Sequence, residues 1–425
     1  MKKKFKILHL LALMLLLIVL VRYRFIYDII LLQIFLIKLA FSNPDIAFNQ
    51  LSINLLDYFA SLFIIVSVPV VLFLKRDKLN FLQAEAGLTN SILTGLIIFT
   101  FLAPVIAPAQ YDMQYNISVS KLLSPLNTKY IVMFKKNADA EDPVQGFIIQ
   151  RDIVFNRGLT GRYLVADSIK TNWDLTICQK EKKQVISRNE IQNQNISIEI
   201  SKICFLFGTD EYGRDIFSRL IYGTRLSLLI GLGSVAISFF VGLIFGFTAG
   251  YFGGIFDTLL NRLADIFLSF PIMFLVILIV GLFGNSVITV VTVLGLAGWM
   301  SLFKIVRNET AGLKQKDFII TSKLLGFSHY NILFKEMLPI MMPSIVVTLV
   351  LQYGSVIIAE SALSYLGFGL GNNFPSWGAM IEAGQYYLSK AWWVSFFPCL
   401  FLFLTLYTAN HWGGKLDEIF RIRYK

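Results

Sequence analysis

The sequence predicts an all-α polytopic membrane protein, and three observations predict it. Hydrophobic residues make up 56% of the 425 and the mean hydropathy is +0.66, well above the apolar share of a soluble domain. The apolar residues arrive in runs of about 20, the length that crosses ~30 Å of hydrocarbon at ~1.5 Å per helical residue. The net charge of +11 is carried by Lys and Arg scattered through the flanking loops and one polar insert. There is no basic stripe interleaved with stacking aromatics, so the charge orients helices in the bilayer and no nucleic-acid partner is expected.

Nine apolar runs follow in order, at 5–21, 25–41, 55–74, 88–107, 226–250, 259–283, 287–306, 341–360 and 392–412. The opening MKKKFK resembles the n-region of a signal peptide. No small-residue cleavage site follows, so the first run reads as an uncleaved anchor. Lys75, Arg76 and Lys78 directly follow the third run and place its end in the cytoplasm by the positive-inside rule. With MKKK also inside, an even number of crossings separates the two clusters. Residues 5–41 then form one crossing with an interfacial extension, giving eight crossings overall and both termini in the cytoplasm of a multi-pass inner-membrane protein.

Residues 1–85 are thus an extra N-terminal transmembrane region, and 86–110 hold the first helix of the core. The polar stretch 111–206 falls outside the cytoplasm, since long loops cross largely regardless of their charge. Its pieces KYIVMF, GFIIQRDIVF and ISIEIS alternate like short strands, which predicts a small β-rich extracytoplasmic insert. Cys178 and Cys204 are its only cysteines, and an oxidising compartment would favour a disulfide between them. The remainder, 207–425, forms the body of the membrane domain.

At the mouth of the fifth run stands FGTDEYGRDIFSRLIYGTR, a polar cluster placed by this topology at the outer membrane face. Gly208, Gly213 and Gly223 allow tight turns and close approach. Asp215 and Arg219, four apart, predict an acid-before-base pair on one helix face. Thr209, Asp210, Arg214 and Arg225 complete an elbow whose charges either pair with one another or meet headgroups, a docked protein or cargo.

Residues 307–338 return to the cytoplasm and are rich in lysine. They are too polar to span, yet Phe318, Ile319, Ser322 and Leu325, then Ile332, Leu333 and Met337, recur at helical spacing. Gly326 ends the first helix, Ser328 caps the second and Pro339 stops it at the membrane. An amphipathic helix–turn–helix with no bilayer to bury its apolar side calls for a protein partner or a lipid surface.

Catalytic chemistry finds no support. No G-x-x-x-x-G-K-[ST] phosphate cradle occurs, and Gly413-Gly414-Lys415 lacks the upstream glycine. His9, His329 and His411, with Cys178, Cys204 and Cys399, show no metal-ligand spacing, so neither a metal nor a cofactor is expected in the chain. Asp265 is the main intramembrane carboxylate, predicted to pair with Arg262 or to line a path. Asn261, Gln352, Ser355 and Glu360 are further polar positions within apolar runs that are candidates to face an aqueous path, with helix pairing as the alternative for Gln352 and Glu360.

Taken in order, GTDEYGRDIFSRLIYGTRLSL, GYFGG, DIFLSFP, GWMSLFKIVRNE, LGFS with a following LP, AESALSYLGFGL and PSWGAMI resemble the C-type transmembrane permease of the dipeptide/oligopeptide (peptide/nickel) class of ABC importers. The resemblance runs from about residue 88 to the C-terminus, apart from the insert. It implies a six-helix permease core that pairs with a homologous permease as a heterodimer. Two cytoplasmic ATPase subunits would drive it, using ATP and Mg, and an extracytoplasmic solute-binding protein would feed it. It also implies that 307–338 is the ATPase-coupling loop, with Asp317, Phe318, Ile320, Thr321, Ser322, Leu325, Gly326, Ser328 and Pro339 at its working positions. Where that family shows Glu-Ala-Ala, this chain has Ile320-Thr321-Ser322. Two other classes stay open on the residues: an ion-coupled secondary transporter or channel using Asp265, and a membrane-bound sensor or scaffold using the insert.

Overall fold

The computed structural model describes residues 6–50, 52–74, 87–136, 143–159, 162–171, 175–179, 182–186, 196–371 and 374–423. MKKK and the cluster of Lys75, Arg76 and Lys78, on which the predicted orientation rests, lie outside the described residues. Among the described residues, six helices are long and apolar enough to cross a membrane, or seven with one bent pair counted as a span. The chain divides into two compact units, residues 1–225 with 383–398 and residues 226–382 with 399–425.

In the first unit, α1 (Ile7–Ser42) joins the first two apolar runs into one 36-residue helix, broken in phase only at Arg22 (φ −108°, ψ 18°). The cause is visible at the same residue. The Arg22 guanidinium donates to the Val105 and Ala107 carbonyls at 2.9 and 2.6 Å, groups left without helical partners where α4 (Leu88–Ile106) ends. The part of α1 beyond Arg22 continues past that level. Two further helices follow, α2 (Pro44–Asn49) and α3 (Ile53–Leu74), the latter apolar over Ile53–Pro69.

The insert corrects one expectation. KYIVMF and ISIEIS do become strands, β1 (Asn127–Lys136) and β6 (Ile196–Phe205), but GFIIQRDIVF belongs to a helix, after α5 (Ile117–Ser120), namely α6 (Pro143–Phe155). Phe147, Gln150 and Val154 carry its buried side chains, a spacing of three and four that fits a helix and not a strand. Its partner is α1: Phe147 and Val154 share a core with Ile29, Leu32 and Leu39, and Gln150 donates to the Asp28 carbonyl at 3.0 Å.

Strands β2 (Arg162–Ala166), β3 (Ser168–Thr171), β4 (Leu175–Gln179) and β5 (Lys182–Ile186) complete two antiparallel three-stranded sheets, ordered β2-β1-β6 and β3-β4-β5. The expected disulfide is absent. Cys178 lies on β4 between Ser168 and Lys183, Cys204 lies on β6 opposite Thr128, and both are free thiols on separate sheets.

The long α7 (Ile216–Phe247) starts ten residues before the apolar run that announced it and ends in a π-turn, Thr248–Phe252. The run at 259–283, expected to be one crossing, is two helices, α8 (Gly254–Ser269) and α9 (Ile272–Phe283), bent by 88°. Pro271 explains the break: it has no N–H to give and it drives the preceding Phe270 into extended backbone (φ −90°, ψ 140°). Next come α10 (Val287–Leu313) and the short α11 (Asp317–Leu324).

A single turn His329–Asn331 and a second π-turn, Ile332–Met337, then lead without a break into α12 (Leu338–Tyr365). Pro339 therefore does not stop the helix. The widened π-turn just before it relieves the clash and lost hydrogen bond that proline brings to an α-helix interior. After α13 (Trp377–Gln385), the chain closes with α14 (Trp393–Arg423).

Candidate functional site

In the turn between α10 and α12, Gly326 and Ser328 act as their positions foretold, while the expected single apolar side is dealt to two sides. Gly326 has φ +81°, the left-handed conformation that ends α11, and the Phe327 amide donates back to the Ser322 carbonyl at 3.1 Å. Ser328 caps the next turn by accepting from the Asn331 amide at 3.3 Å. Ile319, Ile332, Leu333 and Met337 are buried in one core with Leu243 and Phe247 of α7 and Leu302 and Val306 of α10. Phe318, Ile320, Leu324, Leu325, Phe327 and Tyr330 are exposed, Leu325 to 71%. Among the described residues no element covers the exposed set, and the Thr321 hydroxyl donates to the Asp317 carbonyl of its own helix at 2.8 Å.

The base of this turn is pinned by two contacts between distant residues that periodicity could not reveal. Tyr251 Oη meets His329 Nδ1 at 2.8 Å, and the Lys314 and Lys323 ammonium groups each stand 5.8 Å from the Tyr251 ring centroid. Asp257 takes Arg307 in a two-pronged ion pair at 2.7 and 2.5 Å, helped by Asn261 at 2.7 Å. Asp265 pairs with Lys304 at 3.3 Å and not with Arg262 as expected, because α10 brings an ammonium within reach while Arg262 is exposed. Both side chains are about half exposed on this chain.

The polar elbow is an internal brace. Asp210 is its centre: it accepts from the Tyr212 and Arg214 amides at 2.9 Å each, from Arg214 Nε at 2.6 Å, and has Arg219 Nε at 3.7 Å. Asp215, expected to pair with Arg219, instead caps α7 by accepting from the Ser218 amide and hydroxyl at 2.8 and 2.5 Å. Burial pushes its carboxyl up to about 6 in spite of those bonds. Asp210, Arg214, Asp215 and Arg219 are only 3–5% exposed, so these charges face one another and not a docked protein.

Thr209 links the elbow to the insert through the Ser120 carbonyl at 2.5 Å and the Leu123 amide at 2.8 Å. Gly208 and Gly213 have φ of +79° and +73°, and at Gly213 a Cβ would come 3.1 Å from the Tyr115 carbonyl. Arg225 pairs with Asp57, tying α3 to α7.

Of the polar positions inside apolar runs, Glu360 is buried in hydroxyls, with Ser364 at 3.0 Å and Ser227 at 3.3 Å. Gln352 and Ser355 instead line a cavity of about 460 Å³ formed by α8, α9, α10 and α12.

Known proteins resemble this chain over its membrane body. Residues 242–415 match the family model described as binding-protein-dependent transport system inner membrane component. The dipeptide transport system permease protein DppC of Bacillus subtilis is 38% identical over 213 residues, 50% of this chain and 67% of that protein. The oligopeptide transport system permease protein OppC of Haemophilus influenzae is 38% identical over 212 residues, 50% of this chain and 68% of that one. A solved structure of the MetNI methionine ABC transporter in inward-facing conformations superposes with a TM-score of 0.40 and 18% identity over 47% of this chain and 95% of that chain.

Proposed function

We propose that this chain, which belongs to the family of binding-protein-dependent transport system inner membrane components, supplies one half of the translocation pathway of an ATP-driven ABC importer. It is a multi-pass permease subunit that works with ATPase and solute-binding partners. In the finer reading, the other half is a homologous permease in a heterodimer, and two cytoplasmic ATPase subunits bind and hydrolyse ATP with Mg²⁺. An extracytoplasmic solute-binding protein delivers cargo, and both termini of the chain are cytoplasmic. The cargo is short peptides, since the similar permeases are named for dipeptides and oligopeptides.

The observation that carries this reading is the two-sided turn. Ile319, Ile332, Leu333 and Met337 anchor it in the helix core while Phe318, Leu324, Leu325 and Phe327 stay uncovered, which suits a groove on a driving subunit. From that turn, residues His329–Tyr365 form one continuous helical path of 37 residues, and Gln352 of the cavity lies on it. A displacement imposed at the turn is therefore delivered to the cavity wall through a rigid element rather than a loop.

The test is Leu325→Asp in the importer reconstituted in proteoliposomes with its ATPases and binding protein. Leu325 is exposed, so the chain should insert normally. ATP hydrolysis should continue while uptake falls at least about tenfold, the effect of ~1.4 kcal/mol or more lost from docking. Uptake at the parental rate would refute the docking role.

A further inference from the structure

Resting on the reading of the chain as a permease half, we propose that the cavity around Gln352 is a transit site for hydrogen-bond donors on an apolar body: the amide N–H groups and uncharged side chains of a peptide. The cavity, at about 460 Å³, is of small-ligand size. No charged side chain lines it; its wall is Leu, Ile, Met, Val, Ala and Gly apart from Ser301, Thr348, Gln352 and Ser355.

Three of those four polar side chains donate to backbone carbonyls. Thr348 Oγ1 donates to the Ser344 carbonyl at 2.7 Å, Ser355 Oγ to the Leu351 carbonyl at 3.4 Å, and Gln352 Nε2 to the Gly298 carbonyl at 3.1 Å. The last bond also fixes the amide orientation, because a carbonyl can only accept. What remains is the acceptor capacity of the two hydroxyls, the second Gln352 N–H, and Gln352 Oε1, which is buried with no partner among the described residues.

An unpaired buried acceptor is costly until a donor reaches it. A peptide N–H supplies that donor and its side chain fills the apolar remainder. The wall offers no cation, so the recognition it can give is directed at uncharged amide groups and not at a carboxylate. Gly298, opposite Gln352, keeps this approach close: a Cβ there would collide with Ser238 Oγ at 2.8 Å and with the Gln352 amide itself.

The experiment compares uptake of trialanine with uptake of its analogue N-methylated at one peptide bond, in proteoliposomes holding the complete importer. The solute-binding protein is the same in parent and variant, so the change in the uptake ratio between them reads the cavity alone. Gln352→Leu should shrink the parental preference for the N–H form by about 2- to 10-fold, the range for one hydrogen bond. Ser355→Ala, at an exposed position, should shrink it in the same direction, and it decides the matter if Gln352→Leu does not insert.

An unchanged ratio in the inserted variants overturns the proposal. So does loss of the homologous permease from purified Gln352→Leu complexes, since Gln352 would then be an assembly contact. If the parental complex moves neither peptide, it is the permease reading that fails and not the chemistry of the cavity wall.

Discussion

Asp210→Ala removes one carboxylate from beneath two arginines, and the structure sets the size of the loss. The side chains of Asp210, Arg214 and Arg219 are exposed by only 4%, 6% and 3%, so water cannot take over the solvation of the guanidinium groups. Breaking a buried ion pair by deleting one partner costs about 3–5 kcal/mol, because a charge in a dry site loses its counter-charge. At about 2–4 °C per kcal/mol for a domain of this size class, the melting midpoint should fall by ~6–20 °C. The assay is a heating series on detergent-solubilised protein read by fluorescence-detected size-exclusion chromatography. Asp210→Asn serves as a control: it keeps an acceptor for the Tyr212 and Arg214 amides and loses only the charge, so its midpoint should lie between the two. Asp265→Ala is the contrast. Its pair with Lys304 is 55% and 43% exposed, and exposed pairs contribute only about 0–1 kcal/mol. Asp210→Ala melting within ~2 °C of the parent, or no lower than Asp265→Ala, would refute the claim that the elbow is a buried electrostatic brace.

Other outcomes can be checked with the same material. Ile320→Glu places the family's usual acid on the exposed turn, and uptake per ATP hydrolysed should fall, since the driving groove has to match an apolar side chain at that position; a rise would mean that the departure from Glu-Ala-Ala is not matched by the partner. Cys178 and Cys204 should both take up a thiol alkylator without reductant, scored by mass spectrometry; a pair that labels only after reduction would contradict the sheet registers. Asp215 holds its proton up to about 6 in the fold against ~3.9 in an unfolded chain, so its burial costs stability as pH rises from about 4 to 6 and the full cost is present above that. Asp215→Asn, which can still cap α7, should therefore gain thermal stability relative to the parent between pH 4 and pH 7; a constant difference would count against that shift.

What could be read in the sequence was local. Gly326 and Ser328 announced the turn because a left-handed glycine and a hydroxyl cap act within four residues of themselves, and both do what their spacing predicts. Asp257 with Arg307 and Asp57 with Arg225 could not be found the same way, being 50 and 168 positions apart and joined only by helix packing. Residues 143–155 misled for a different reason: GFIIQRDIVF satisfies a strand's alternation, and the cover that α1 provides decides in favour of the helix. Pro271 and Pro339 show the limit of a residue rule. Both lack an N–H, yet the first breaks a span by 88° while the second is carried through by a π-turn. Gln352 and Ser355 stood out as polar positions in an apolar run, but the acceptor left without a donor in the cavity is a feature that only coordinates reveal.

The two π-turns have one more consequence, for the phase of the helices they interrupt. Each takes up about one residue more than an α-turn of the same length, and one residue is ~100° of rotation about the axis. The side chains of Ile332, Leu333 and Met337 and those further along α12 are therefore set on two angular scales, offset where the π-turn lies. The Thr248–Phe252 turn does the same at the end of α7, and the two interruptions are neighbours: Phe247 stacks edge-on with Phe334 at 5.7 Å and Tyr251 reaches His329. Such a pair works like matched vernier marks, fixing by residue count which way the uncovered turn points. Deleting one residue from 332–337 would remove the offset and swing that turn about a quarter of the way round its axis, with every individual contact residue still present in the chain.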